Sequence, residues 1–264
     1  MRRRLLTIVA AATIATLCNC SGDKDEKLAF ETVSTEKTVS ISSENGAPKC
    51  SVHLTLAAAA ESQGERAKAV NGLLARELLD QEATSLKAAA DSFANAYTES
   101  YRRNIAPLYR DDRNDANKRS WYEYHYNLTG KAAQGRQGVT VYTADLDYYE
   151  GGAHGISQRL LMNFDNKMGR LLTLADVFTP GYQQRLNGLL EEKLIEKTGA
   201  KDINELREKG YLYQTEMYAS ENFALGEDEI TFVYNPYEIA PYEQGLTELT
   251  IDYGECKEIL QNAD

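Results

Sequence analysis

Apolar and polar residues alternate with a period of two along several short runs of the chain. In Cys50–Ala57, Val52, Leu54 and Leu56 alternate with Ser51, His53 and Thr55, which is the period of a strand with one buried face. Thr38–Ser42 reads as a preceding strand, and Ser43-Glu44-Asn45-Gly46-Ala47-Pro48 supplies the turn between them. Across Ser120–Thr129, Tyr122, Tyr124, Tyr126 and Leu128 share one face, with Trp121, Glu123, His125 and Asn127 on the other. Val139–Tyr149 and Gly155–Phe164 continue the pattern. Between them, Glu150-Gly151-Gly152-Ala153-His154-Gly155 offers glycines for a tight or bulged hairpin. These three runs predict an antiparallel meander.

Elsewhere the period shifts to 3.6. Ala69, Leu73, Ala75, Leu78 and Leu79 predict one helix, and a second runs from about Gln81 to Tyr109. Phe93, Tyr97 and Tyr101 stand four apart and form a stripe facing a sheet. Pro107 is expected to end or kink this helix near Ala106. Thr173 and Asp176 have capping-box spacing ahead of a short helix. Tyr182–Thr198 is amphipathic and Gly199 stops it. Asp202–Lys209 is a further short helix. Phe223–Leu225, Glu229–Tyr234 and Thr247–Ile251 read as strands, and Cys256–Leu260 as a closing helix. Segregated strands and helices predict an α+β fold of mainly antiparallel sheets packed with helices, as two α/β subdomains in one composite unit.

The first residues carry an address. Arg2, Arg3 and Arg4 precede the uncharged run Leu5–Leu17, the build of a signal peptide and too short to span a bilayer. Leu17 lies three residues before Cys20, a spacing that resembles a bacterial lipobox. It predicts a signal peptide over 1–19 and lipidation of Cys20. An acidic tether over 20–35 follows, then subdomains at 36–168 and 169–264. The expected location is a lipid anchor in the bacterial cell envelope, on the outer membrane facing the periplasm or the cell surface. The chain carries 29 Lys+Arg against 40 Asp+Glu, a net charge of −11. Cleavage removes three arginines and no acid, leaving 26 against 40, or −14. That balance argues against nucleic acid, which needs clustered cations, and favours cationic partners. If Cys18 leaves with the signal, Cys50 and Cys256 remain. An even pair outside the cytoplasm suggests a disulfide, with two separate buried thiols as the alternative.

Two passages resemble a known family. The first is Tyr149-Glu150-Gly151-Gly152-Ala153-His154-Gly155, with Asn163-Phe164-Asp165 and Leu171–Phe178 after it. The second is Ile230–Tyr234 followed by Asn235-Pro236-Tyr237-Glu238-Ile239-Ala240-Pro241-Tyr242-Glu243-Gln244-Gly245. Both resemble the extracytoplasmic domain shared by the anti-sigma factor RsiV and the N-terminal region of the peptidoglycan deacetylase PdaC. The N-terminal subdomain is similar to the PdaC part and the C-terminal one to the RsiV part, in a stand-alone lipoprotein form like those of Bacteroidetes. The resemblance implies a module that faces outward and binds lysozyme or accompanies cell-wall chemistry.

Candidate chemistry is sparse. Gly-x-Ser-x-Gly, His-Glu-x-x-His, a P-loop and GxGxxG are all absent. His154 follows Asp145, Asp147 and Glu150, and such a carboxylate–His group can bind a metal or serve as acid and base, which makes these residues candidates for binding. The alternative is a turn histidine that fixes the hairpin. Pro236 and Pro241 bracket a rigid loop, and Tyr234, Tyr237 and Tyr242 are candidates for an aromatic recognition surface or for packing of that loop. Trp121 could extend a glycan-stacking face. The reading is therefore a non-catalytic binding or sensing module for a lysozyme-like protein or a cell-wall glycan. The alternative is an enzyme, or enzyme accessory, acting on peptidoglycan or polysaccharide. No cofactor or metal is expected.

Overall fold

The structure is a computed structural model that describes residues 27–261. Cys20, the expected lipidation site, Cys18 and the signal segment lie outside the described residues. No helix among the described residues is long and apolar enough to cross a membrane.

Among the described residues, nine strands form a six-stranded and a three-stranded sheet, and five α-helices pack against them. The fold is α+β. β1 (Phe30–Ser40) and β2 (Lys49–Ala59) form a hairpin. α1 (Glu65–Leu79) and α2 (Leu86–Asp112) then carry the chain back to β3 (Tyr124–Gln134). This crossover places β3 parallel to β2. β4 (Val139–Tyr149), β5 (Ile156–Asp165) and the short β6 (Leu171–Leu172) continue antiparallel, so strand order follows sequence order. After β6 come α3 (Leu174–Val177), α4 (Gln183–Thr198) and α5 (Ile203–Glu208). β7 (Phe223–Leu225), β8 (Glu229–Tyr234) and β9 (Thr247–Asp252) form the second, antiparallel sheet.

One face of the larger sheet is apolar and carries α1 and α2. Val52, Leu54, Leu56, Leu128, Tyr142 and Phe164 pack there against Val70, Leu74, Ala90 and Ala94. The aromatic stripe of α2 meets matching rings on β3. Phe93 and Tyr97 lie 4.8 and 5.3 Å from Tyr126, and Tyr101 lies 5.1 Å from Tyr124. The second core gathers Leu186, Leu190 and Leu194 of α4 with Phe223, Ile230, Phe232 and Ile251 of the small sheet.

Three expectations need correction. The tether does not reach residue 35, because β1 begins at Phe30. Its inward positions Thr35 and Lys37 hide an apolar period, since they bond Asp91 and Asn95 on α2 instead. Pro107 does not end α2, which continues to Asp112. The proline sits on the exposed side, where water can satisfy the carbonyl it leaves unpaired, and buried Tyr109 anchors the turn beyond it.

The third correction concerns the cysteines. Cys50 and Cys256 are both free and buried, and they sit in different cores. Cys50 packs with Val39, Ile41, Tyr101, Tyr109 and Tyr122 at one end of the large sheet. Cys256 belongs to the core of the small sheet, its thiol 3.7 Å from the carbonyls of Asp252 and Tyr253. Burial pushes both thiols up, to about 12 and about 11, so neither is a thiolate near neutral pH.

The two sheets do not share a ladder. They are joined by asparagine side chains that bond strand backbones. Along the edge of β5, Asn235 Oδ1 accepts from Arg159 N at 2.7 Å, and its Nδ2 donates to Arg159 O at 3.1 Å. Asn222 accepts from Leu161 N at 2.7 Å and donates to Arg159 O at 2.8 Å. In the other direction, Asn163 of β5 donates to Phe223 O and accepts from Leu225 N, both at 2.8 Å. An amide offers one donor and one acceptor side by side, as a strand does, so each stands in for a missing neighbour.

Two outcomes follow. Asn163→Ala strands a buried donor and acceptor of β7, so thermal denaturation should show a loss of about 3 kcal/mol, or roughly 6–12 °C in Tm. A thiol reagent at pH 8, without reductant, should label neither Cys50 nor Cys256 in the folded protein and both after denaturation.

Candidate functional site

The helices cover one face of the large sheet, and the other face is polar. Strand parity puts His125, Asn127 and Thr129 of β3 on it, beside Tyr149, Asp147 and Asp145 of β4. Ser157 and Arg159 of β5 complete the rows opposite Asp147 and Asp145. The 236–246 segment between β8 and β9 closes over part of this face. A cleft of about 590 Å³ remains, lined on one side by Asn127, Thr129, Asp145, Asp147, Ser157 and Arg159. Pro236, Tyr242, Glu243 and Gly245 line the other side.

The carboxylates on the sheet side are held in place. Arg159 Nε donates to Asp145 at 2.7 Å, and its Nη1 donates to Glu248 of β9 at 2.6 Å. These contacts hold the guanidinium charged, above its ordinary range, with Asp145 the main cause. Asp147 lies 2.9 Å from His125 Nε2 and accepts from Ser157 Oγ at 3.1 Å. Glu243 has no hydrogen-bond or ion-pair partner among the described residues, so its carboxylate is free to meet a ligand. The cleft thus offers acceptors in fixed positions and an excess of negative charge.

Its rim is aromatic. Tyr242 stacks on His154 with ring centres 3.9 Å apart and planes 19° from parallel. Tyr242 also donates to Gly155 O at 2.8 Å, fastening the β4–β5 hairpin to the second sheet's loop. His154 Nδ1 lies 3.0 Å from the same carbonyl. Tyr237 also stacks on Tyr242, with ring centres 5.8 Å apart, and is 62% exposed.

Tyr237 is held in an unusual backbone state. Glu238 N donates to Asn235 O at 3.1 Å, closing a turn over Pro236 and Tyr237. Tyr237 has φ +75°. Proline followed by a positive φ is the pattern of a type II turn, whose third position favours glycine. A tyrosine there is strained by roughly 1–3 kcal/mol. Asn235 N donates to Glu238 Oε2 at 3.0 Å, and Tyr237 N donates to Ala240 O at 2.9 Å, so the loop holds the strain.

Of the residues expected to form a site, Asp145, Asp147, His154, Tyr237 and Tyr242 come together here. Tyr234 does not. It is fully buried in the small sheet's core, its hydroxyl donating to Tyr218 O at 2.5 Å, and burial raises its ionisation well above the phenol range. It sits on β8, whose inward side chains include Ile230 and Phe232, and the same period assigns it to the core. Glu150 points elsewhere and accepts from Tyr97 at 2.7 Å. Sequence reasoning missed Arg159, Ser157 and Glu243. The first two lie at alternate positions of β5, so the strand's period put them on one face. The register that sets them opposite Asp145 and Asp147 was not visible. Among the described residues, no group of three or more His, Cys, Asp or Glu side chains could hold a metal ion.

Residues 175–254 match the family model described as a protein of unknown function, DUF3298. No curated protein matches the chain. A crystal structure of a DUF3298 family member from Bacteroides fragilis superimposes with a TM-score of 0.82 at 25% identity, covering 90% of this chain and 95% of that one. A DUF3298 family protein from Pseudomonas aeruginosa shares the fold, with a TM-score of 0.60 at 20% identity over 90% and 96% of the two chains. The segment that matches the DUF3298 model supplies Pro236, Tyr242, Glu243 and Gly245, one wall of the cleft, with Tyr237 packed against Tyr242 beside it. The other wall, from Asn127 to Arg159, precedes it.

Replacing Arg159 tests how the walls are tied. Arg159→Met keeps the apolar stem but leaves Asp145 and Glu248 facing each other. Denaturant unfolding should show a loss of about 1 kcal/mol, modest because the pair is partly solvated, and added salt should reduce it.

Proposed function

We propose that this protein is a non-catalytic binding module of the bacterial cell envelope whose cleft takes a cell-wall glycan. The observation that carries the reading is Tyr237: a bulky ring kept exposed at a position that suits glycine, extending a stack of Tyr242 and His154 beside fixed carboxylates. Strain of this kind concentrates at binding and catalytic sites. A sugar offers an apolar face for the rings and hydroxyls for Asp147, Asn127 and Glu243, and sites of this build fix orientation through few polar groups. Asp145 and Asp147 are already engaged by Arg159, His125 and Ser157, which favours binding over acid–base work.

The proposed lipid anchor at Cys20 fits this geometry. Lys27 lies beside Gln134 and Gly138 at the start of β4, whereas the cleft lies toward the far end of that strand. A tether arriving there joins the domain away from the cleft. A second reading rests on charge. The free carboxylate of Glu243 and the acidic balance of the chain suit a basic protein, and the likeness to the RsiV domain points to lysozyme.

Calorimetric titration with muropeptides and with lysozyme separates the two. Tyr237→Gly removes the ring and relieves the backbone, so Tm should stay within roughly 3 °C while glycan affinity falls about tenfold, or about 1.4 kcal/mol. Release of product from labelled peptidoglycan by the wild-type protein would overturn the non-catalytic reading.

A further inference from the structure

We infer that the cleft is one end of a longer track that takes a glycan chain, with Trp121 as its far platform. This rests on the reading of the cleft as a glycan site. Trp121 is the chain's one tryptophan and is 51% exposed. Its neighbours turn inward. Tyr122 meets Tyr109 edge to face at 5.3 Å and donates to Asp112, and Tyr124 packs on Tyr101. The indole is left at the surface while the aromatic residues around it serve the core.

The β4–β5 hairpin links the two platforms. A Cβ at Gly151 would lie 2.8 Å from Trp121 O, so this end of the hairpin rests directly on the backbone of Trp121. Gly151 also has φ +86°, a second reason for glycine there. The other end of the same hairpin carries His154, stacked on Tyr242. From the hairpin that rests on the Trp121 backbone, a line of contacts runs to the cleft. Tyr149 donates to Gly152 O at 2.9 Å, and its ring stacks on His125 at 6.2 Å. His125 in turn holds Asp147 at the cleft.

The row of His125 and Tyr149 lies four residues along β3 from the row of Thr129 and Asp145, a separation of ~13 Å. Trp121 lies farther along the same direction. The track alternates ring faces with hydroxyl and carboxylate acceptors, which matches a polysaccharide with apolar faces and polar edges. Its carboxylates select an uncharged or amino-bearing chain and repel a phosphorylated or sulfated one.

The test is calorimetry and tryptophan fluorescence on the full chain, with N,N′-diacetylchitobiose and the corresponding hexamer as probes. The hexamer should bind at least tenfold more tightly than the dimer. It should also shift the Trp121 emission to shorter wavelength, which the dimer should not do. Trp121→Ala should bring hexamer affinity down to that of the dimer and leave dimer affinity unchanged, whereas Trp121→Phe should keep part of the gain. Equal affinity for dimer and hexamer, or a Trp121→Ala protein that retains the gain, would overturn the track but leave the cleft. Binding of neither probe by the wild-type protein would overturn both.

Discussion

The arrangement of the molecule depends on three asparagine amides. β5 is an edge strand over most of its length, because β6 pairs with it only at Asn163 and Phe164. An unpaired edge exposes backbone donors and acceptors that must be satisfied or shielded. A ladder to β7 would satisfy them and merge the two sheets into one. Asn222 and Asn235 satisfy them with side chains instead, and Asn163 does the same for β7. The sheets are thereby fixed to each other without becoming continuous. Each keeps its own core, and the small sheet stands beside the polar face of the large one.

The cleft follows from that offset. Asn235 bonds β5 with its side chain and opens the turn that carries Tyr237 with its backbone. The same residue therefore fixes the sheet junction and the position of the exposed ring. Arg159 repeats the logic at the charged level. Its backbone is held by Asn222 and Asn235, while its guanidinium bridges Asp145 on one sheet and Glu248 on the other. The strain at Tyr237 is sustained because the residues around it are held from several directions.

Much of the fold was legible in the sequence because its elements bury one face and show the period. β2, the stripe on α2 and the leucines of α4 read correctly, and β3 in part: its expected start lies in a 3-10 helix, Arg119–Tyr122, and the strand runs from Tyr124 on to Gln134 rather than stopping at Thr129. The capping box of Thr173 and Asp176 forms as spaced. β1 was less legible because an edge strand can fill its inward positions with Thr35 and Lys37 when a helix offers polar partners. Pro107 misled because a helix tolerates proline where the freed carbonyl meets water. The cysteine pair misled for a different reason. An even number and an expected export say nothing about which buried cluster each thiol enters, and Cys50 and Cys256 enter different ones. The candidate site was read in part because Asp145, Asp147, His154, Tyr237 and Tyr242 are polar or aromatic residues at turns or on an outward face. Tyr234 looked the same in sequence, but strand parity sends it inward.

The division of the cleft between two parts of the chain shapes how its specificity can be set. The segment that matches the DUF3298 model supplies the aromatic rim, whose geometry is bound up with the Asn235 turn and the junction of the sheets. The opposing wall is made of outward side chains on β3, β4 and β5. Asn127, Thr129 and Asp147 add little to the core, so changes there cost little stability. The platform is therefore structurally constrained while the facing wall is free to vary. The Bacteroides fragilis protein matches this fold over both parts at 25% identity. Such a fold can keep its rings for stacking and change the groups that read a ligand's polar edge, altering selectivity without disturbing the junction that creates the cleft.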